Sequence, residues 1–215
     1  MASRTESTVV NVAGLVQGIV LVTFPAASTI LTSRSYYGLS STLYGNVFLP
    51  QVATAIGASL LEPRLAVRIT TKGVYLLGLS ASLVSMALLL GSVPVRTSQA
   101  AAYPLLLIAT AFLGAGFGLM VPVLNTLTSV FHPDRVDRSV LILNALVGLG
   151  MVLAPVLVVV FVGLGFWWGL PILSMTLLVL LLLVSVRLPL RAGTVVRALG
   201  SGQSRGFPAR HRVAR

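Results

Sequence analysis

The sequence contains no cysteine and only four acidic residues among 215. The absence of cysteine excludes disulfides, thiolate metal sites and cysteine nucleophiles. Charged residues make up 9% of the chain, whereas soluble domains carry about 25%. Because 56% of the residues are apolar and the mean hydropathy is +1.00, the chain cannot cover a water-facing surface of ordinary polarity. We therefore expect an integral membrane protein.

Six apolar runs contain no Asp, Glu, Lys or Arg, and each is close to the roughly 20 residues that a helix needs to cross a bilayer. The runs are continuous, whereas barrel strands would alternate apolar and polar positions. The sequence thus predicts an all-α polytopic membrane protein with a short cytoplasmic N-terminus at 1–8, a six-helix bundle at 9–187 and a basic, disordered cytoplasmic tail at 188–215. The predicted spans are 9–32, 40–61, 73–91, 101–128, 139–163 and 166–186.

The basic residues are distributed unevenly between the two sides of such a bundle. With six spans both termini lie on one side, and thirteen of the fifteen basic residues fall there; only Arg34 and Arg96 fall opposite. The positive-inside rule then places both termini in the cytoplasm, in a plasma (inner) membrane. The tail, with seven arginines counting Arg187 and no acid, is expected to associate with anionic lipid or to remain solvated and help fix topology, and not to bind nucleic acid.

The predicted spans lack the groups that carry most chemistry. None holds a carboxylate, which proton-coupled carriers usually place inside the membrane. His132 and His211 fall in a predicted loop and in the tail, and no G-x-x-x-x-G-K phosphate loop occurs. We therefore expect no enzyme activity, no bound metal and no cofactor.

The predicted cytoplasmic loop at 62–72 and the residues after it carry a recognisable pattern. The stretch "LAVRITTKGVYLLGL" at 65–79 resembles the loop between the second and third helices of the major facilitator superfamily, which reads roughly G-x-L-A-D-R-x-G-R-[RK]-x-x-L. Leu65, Ala66, Arg68 and Lys72 match this pattern.

Three positions depart from the pattern. Pro63 stands at the first glycine, Val67 at the aspartate and Thr70 at the second glycine. In the family the aspartate pairs with cationic groups and helix ends at the cytoplasmic face, where it helps to latch the outward-facing state. Valine can neither accept a hydrogen bond nor carry a charge, so the resemblance does not extend to this latch.

Further motifs follow in the family's order at 37–50, 111–139 and 143–157, and "WWGLP" at 167–171 is similar to the start of its sixth helix. The resemblance covers about residues 9–190 and implies that the chain has the N-terminal six-helix half of the family's fold. It also implies the family's function, transport of a small organic solute by alternating access. Family members normally have two halves with the solute between them. It therefore implies a second six-helix half, from another copy or a separate chain; the alternative is a non-transporting protein, as a truncated remnant or a subunit acting through protein contacts.

Small residues recur at helical spacing within the spans. Glycines four apart share one face of a helix and let two backbones approach closely, which is how helices associate in lipid. A proline inside a helix removes one backbone hydrogen bond and bends it. We predict helix packing at Gly14, Gly18, Gly114, Gly118, Gly148, Gly150 and Pro155.

Polar side chains inside the spans must face another helix or a watery cavity. They are candidates for solute contact, and hydrogen bonding between helices is the alternative. The resemblance implies that the first and fourth helices line the central cavity, which favours the first-helix residues and Asn125. The candidates are Gln17, Thr23, Asn46, Gln51, Asn125 and Asn144.

Overall fold

The computed structural model describes residues 4–188, and every regular element in this part of the chain is a helix. The prediction of an all-helical fold is confirmed. The predicted disordered tail lies, from residue 189 onward, outside the described residues. A short 3-10 turn, Pro133–Arg135, precedes α6. The helices are α1 (Arg4–Ala26), α2 (Ser28–Thr32), α3 (Ser41–Asn46), α4 (Phe48–Gly91), α5 (Gln99–Phe131), α6 (Val136–Gly163) and α7 (Gly169–Arg187).

Five stretches of the described chain are long and apolar enough to cross a membrane. The second, Ser41–Gly91, contains both of the runs predicted as separate spans at 40–61 and 73–91. The predicted loop between them is wrong in detail, because α4 continues through 62–69 as helix. The physical reason is that most of these positions hold good helix formers and their charges do not interrupt the backbone hydrogen bonds, while Pro63 removes only one such bond and the helix continues through it.

Helix α4 has one non-helical residue, Thr70, with φ 72° and ψ 157°. The residues on either side form a first arm, 48–69, and a second arm, 71–91. Both arms pack on the same part of α5: Gly114 lies against the main chain of Gln51, and Gly116 lies against Ser82. On a continuous helix Gln51 and Ser82 would be about 46 Å apart at 1.5 Å per residue. The chain therefore doubles back at Thr70.

The order of the contacts along α5 gives the direction of each arm. Gly114 and Gly118 meet Gln51 and Ala55 in that order, so the first arm runs parallel to α5. The second arm runs the other way, since its Gly78 meets Met120, further along α5 than the contact made by Ser82.

Helices α1 and α6 also approach each other at glycines. A Cβ atom on Gly18 would overlap the main chain of Val147, and one on Gly150 would overlap the main chain of Leu15. Gly14, one turn before Gly18, lies against the side chain of Leu143. These two helices therefore touch backbone to backbone, as helices do when they associate in lipid.

The structure does not place Gly148 and Pro155, two of the residues predicted for helix packing, at a close contact between described helices. A Cβ on Gly148 would meet nothing within 4 Å, so this glycine makes no close contact with another described helix. Pro155 lies in the interior of α6 with its side chain exposed. The face of α6 that holds Gly148 is open, and it borders a groove between α5 and α6.

Candidate functional site: a groove between α5 and α6

A groove of about 260 Å³ lies between α5 and α6. Its walls are built by helical spacing, since residues three and four positions apart share one face of each helix. No ionisable side chain lines it, and two of its lining residues are asparagines. The lining residues are Phe117, Val121, Leu124 and Asn125 from α5, with Leu143, Asn144, Val147, Gly148 and Met151 from α6.

Asn125 is the polar residue of the α5 wall. Its side-chain Oδ1 is buried and has no hydrogen-bond partner. The residue's main-chain oxygen is used locally, because it accepts a hydrogen bond of 2.8 Å from Ser129 Oγ. Leaving a buried acceptor without a partner costs about 1–3 kcal/mol. Asn125 thus holds an unsatisfied buried acceptor in the polar part of the α5 wall.

Asn144 and Gly148 form one stretch of the α6 wall. Asn144 is exposed, and its Nδ2 donates a hydrogen bond of 3.0 Å to the main-chain oxygen of Val140, one turn earlier. Gly148, one turn later, has open space where a side chain would begin. The absence of a side chain at Gly148 keeps this part of the groove free.

Gln17 and Thr23 lie inside the bundle and do not line the groove. Each is 1% exposed. Gln17 Oε1 accepts a hydrogen bond of 3.3 Å from Ser82 Oγ in the second arm of α4, and its Nε2 is buried without a partner. Thr23 Oγ1 donates to the main-chain oxygen of Ile19, 2.9 Å away in its own helix.

The two candidates from the second predicted span are also separate from the groove. Asn46 is exposed at the end of α3. Gln51 is half-buried in the first arm, and its Oε1 is buried with no hydrogen-bond partner. The structure therefore brings together only Asn125 and Asn144 from the six predicted solute-contact residues.

The family model described as Major Facilitator Superfamily matches residues 7–212. The chain belongs to this superfamily. Its members are membrane transporters and not enzymes, which identifies the chain as an integral membrane protein of a transport family. Neither a curated protein nor a solved structure matches the chain.

The superfamily's loop pattern takes a definite form at the reversal of α4. Lys72 Nζ donates hydrogen bonds to the main-chain oxygens of Val186, at 2.9 Å, and Leu188, at 2.6 Å. These carbonyls lie at the C-terminal end of α7, where the helix dipole favours a cation. Val67, at the family's aspartate position, is 83% exposed. Lys72 thus ties the reversal to the end of α7.

Of the other pattern residues, Leu65 and Ala66 are half-buried and pack against the core, while Arg68 is exposed. The same end of the bundle joins α1 to α5 through a 2.8 Å hydrogen bond between Ser7 Oγ and His132 Nε2. Within residues 4–188 no group of three His, Cys, Asp or Glu residues is placed to hold a metal ion.

The opposite end of the bundle is closed by Tyr37, in the connection between α2 and α3. Its hydroxyl lies 2.7 Å from Ser92 Oγ, and its ring meets the edge of Trp167 at a centroid distance of 5.9 Å. Burial raises the pKa of Tyr37, and the hydrogen bond with Ser92 and the charge of Arg96 act in the other direction. Tyr37 therefore remains a neutral hydrogen-bonding group at physiological pH.

Sequence reasoning did not identify Phe117 and Met151 as groove residues. Helical spacing from the two asparagines would have found both, because Phe117 lies eight positions before Asn125 and Met151 lies seven after Asn144. It also missed Ser82 as the partner of Gln17. No comparable signal marks Ser82, since a serine in an apolar helix more often bonds to its own backbone.

Proposed function

We propose that this chain carries a small organic solute across the membrane by alternating access and that the α5–α6 groove forms part of the solute's path. The observation that carries the proposal is the buried, unpaired Oδ1 of Asn125 in the wall of an open groove. In a membrane, such an acceptor is expensive unless it meets water or a solute. Membership of a transport family supports the same assignment.

The proposal includes six crossings, with each arm of α4 spanning the membrane separately. An arm of about 21 residues is about 31 Å long, which matches the hydrocarbon thickness. The reversal at Thr70 then lies at one membrane surface, together with the basic residues Arg64, Arg68 and Lys72. By the positive-inside rule this surface is cytoplasmic, and Arg96 lies on the outside.

Thiol labelling tests this topology, and the chain needs no prior removal of native cysteines. In intact cells, an impermeant maleimide should label Arg96→Cys and leave Arg68→Cys and Arg135→Cys unlabelled until the membrane is opened. Labelling of Arg135→Cys with none of Arg96→Cys would contradict the proposed orientation.

The proposal also includes a second six-helix bundle, from another copy of the chain, against the open side of this one. Apolar residues at helical spacing are uncovered there on α6, where Val152, Val156 and Val159 are 66%, 54% and 71% exposed. The first arm of α4 shows the same feature at Val52 and Ile56, which are 56% and 58% exposed. Alternating access requires two bundles that move against each other around a shared site.

The assembly can be tested by native mass measurement in mild detergent and by crosslinking through Val156→Cys. A dimer with crosslinks between copies supports the second bundle. A lone chain that nevertheless shows alternating access would contradict it, because one bundle supplies only one wall of the cavity.

Alternating access itself can be tested without knowing the solute. A cysteine at Gly148 would lie in the groove, where there is room for its side chain. In right-side-out and in inside-out membrane vesicles, an impermeant methanethiosulfonate reagent should modify Gly148→Cys from both sides. Leu183→Cys, on an exposed apolar face of α7, is the control and should react from neither side. Reaction of Gly148→Cys from one side only would contradict alternating access.

A further inference from the structure

We infer that the α5–α6 groove takes an uncharged, mostly apolar solute that donates a hydrogen bond to Asn125 Oδ1. This inference rests on the proposed function, because it names the class of solute that the same groove carries. Three properties of the lining residues lead to it: their charge, the unpaired acceptor and the shape of the apolar walls.

The first property is the complete lack of ionisable side chains among the lining residues. An ion that enters an apolar groove loses its hydration and needs a counter-charge or several hydrogen bonds in return. The groove offers two carboxamides and no counter-charge. Anions and cations are therefore both disfavoured, and a neutral molecule is accepted at no such cost.

The second property is the direction of the hydrogen bond that the groove can make. Asn125 Oδ1 accepts and has no partner in the described structure. Asn144 Nδ2 uses one of its two N–H groups on the oxygen of Val140, and its other N–H belongs to an exposed side chain, so it is not a buried donor in need of a partner. Among the lining residues, Asn125 Oδ1 is the one side-chain atom that is both buried and unpaired, which favours a solute with an O–H or N–H group over one that can only accept. A solute that leaves this buried acceptor without a partner typically binds about tenfold more weakly, or weaker still, than one that donates a hydrogen bond to it.

The third property is the shape of the groove walls and the chemical character of their side chains. Phe117 and Met151 present an aromatic ring and a polarisable thioether, both of which pack well against flat aromatic molecules. The space left by Gly148 lets a ring enter between the helices. The volume of about 260 Å³ is just below the usual range for ligand pockets, which favours a small solute of one or two rings.

Equilibrium binding of four related probes to the purified chain in lipid nanodiscs tests the inference. The probes are 2-naphthol, which is neutral and donates; 2-methoxynaphthalene, which is neutral and only accepts; 2-naphthoate, an anion; and 2-naphthylmethylammonium, a cation. Nanodiscs without protein measure partition into lipid, which is subtracted. We expect 2-naphthol to bind saturably, at least about tenfold more tightly than 2-methoxynaphthalene, and both ions to show no saturable binding.

Two substitutions of Asn125 connect the selectivity to this side chain. Asn125→Leu removes the acceptor and should weaken 2-naphthol about tenfold with little effect on 2-methoxynaphthalene. Asn125→Asp adds a carboxylate and should produce saturable binding of 2-naphthylmethylammonium, a gain that an unfolded variant cannot show. Asn46→Leu is the matched control, because Asn46 is exposed outside the groove, and it should bind as the unmodified chain does.

Several results would overturn the inference: no saturable binding of 2-naphthol, equal affinity for 2-methoxynaphthalene, comparable binding of either ion, or no change with Asn125→Leu. These results are distinguishable from failure of the proposed transport. Selective binding with one-sided reactivity of Gly148→Cys would contradict alternating access and leave the solute class intact. Two-sided reactivity without selective binding would overturn the solute class alone.

Discussion

Replacing Thr70 with glycine should stabilise the protein, although glycine within a helical region normally destabilises. Thr70 has φ 72° and ψ 157°, and no other non-glycine residue of the described chain has a positive φ. This region of backbone conformation is almost restricted to glycine, and a side chain there costs about 1–3 kcal/mol. The superfamily pattern has glycine at this position, which agrees with the conformation that the structure gives it.

Two smaller effects act against the gain. Thr70 Oγ1 accepts a hydrogen bond of 3.2 Å from the backbone N–H of Gly73, which caps the start of the second arm. Glycine in place of a capping threonine loses only a few tenths of a kcal/mol. The greater freedom of glycine in the unfolded chain costs about 0.5–1 kcal/mol more. The net expectation for Thr70→Gly is a gain of about 1 kcal/mol in the free energy of unfolding.

Thr70→Ala separates the backbone strain from the hydrogen-bonded cap, because alanine keeps the strain and loses the cap. It should destabilise by about 1 kcal/mol relative to the unmodified chain, so the two variants should differ by about 2 kcal/mol. Thr71→Gly is the control one residue away. Thr71 has helical backbone angles, so glycine there should cost about 0.5–1 kcal/mol.

The free energies can be measured by titrating sodium dodecyl sulfate into mixed micelles and following reversible loss of helicity by circular dichroism. The expected order of stability is Thr70→Gly, then the unmodified chain, then Thr70→Ala. If Thr70→Gly destabilises as much as Thr71→Gly does, or if Thr70→Ala equals Thr70→Gly, the left-handed conformation at Thr70 is refuted.

Two further predictions concern contacts between helices and use the same unfolding measurement. Gly18→Ala should destabilise the protein by about 1–3 kcal/mol, because the added Cβ would meet the main chain of α6. Gly57→Ala is the control, since a Cβ there has open space, and it should be neutral or slightly stabilising. Equal effects of the two substitutions would contradict the α1–α6 contact. Lys72→Met should cost about 1 kcal/mol through the lost bonds to the end of α7, and Arg68→Met should change little; no loss with Lys72→Met would contradict that contact.

The sequence was sufficient for the fold class because lipid imposes a simple requirement. A backbone in hydrocarbon must satisfy its own hydrogen bonds, so uncharged runs of about 20 residues can only be helices here. The boundary between the second and third runs was harder to predict. Charges at Arg64 and Arg68 suggested a loop, but arginine is a good helix former, and the backbone of α4 leaves the helical conformation only at Thr70.

The candidate site was predictable in part for a related reason. Carboxamide side chains in apolar runs are few, so a short set of candidates could include both Asn125 and Asn144. Their separation from Gln17 was not predictable, because the direction in which a side chain points depends on how its helix is rotated. For α1 that rotation is fixed by Gly18 against α6, a contact that requires the three-dimensional pairing of helices to be known.

The glycines of α5 show that the sequence nevertheless contains information about which helices pack against each other. At 100° per residue, Gly114 and Gly118 lie about 40° apart around the helix, while Gly116 lies about 200° from Gly114. A helix with close-contact positions on two opposite sides can be approached by two backbones at the same level along its axis. In this chain the two approaching backbones are the arms of α4, one against Gly114 and Gly118 and the other against Gly116. Because both arms belong to one continuous stretch of chain, the spacing of these glycines requires a reversal between them, and Thr70 is where the backbone makes it.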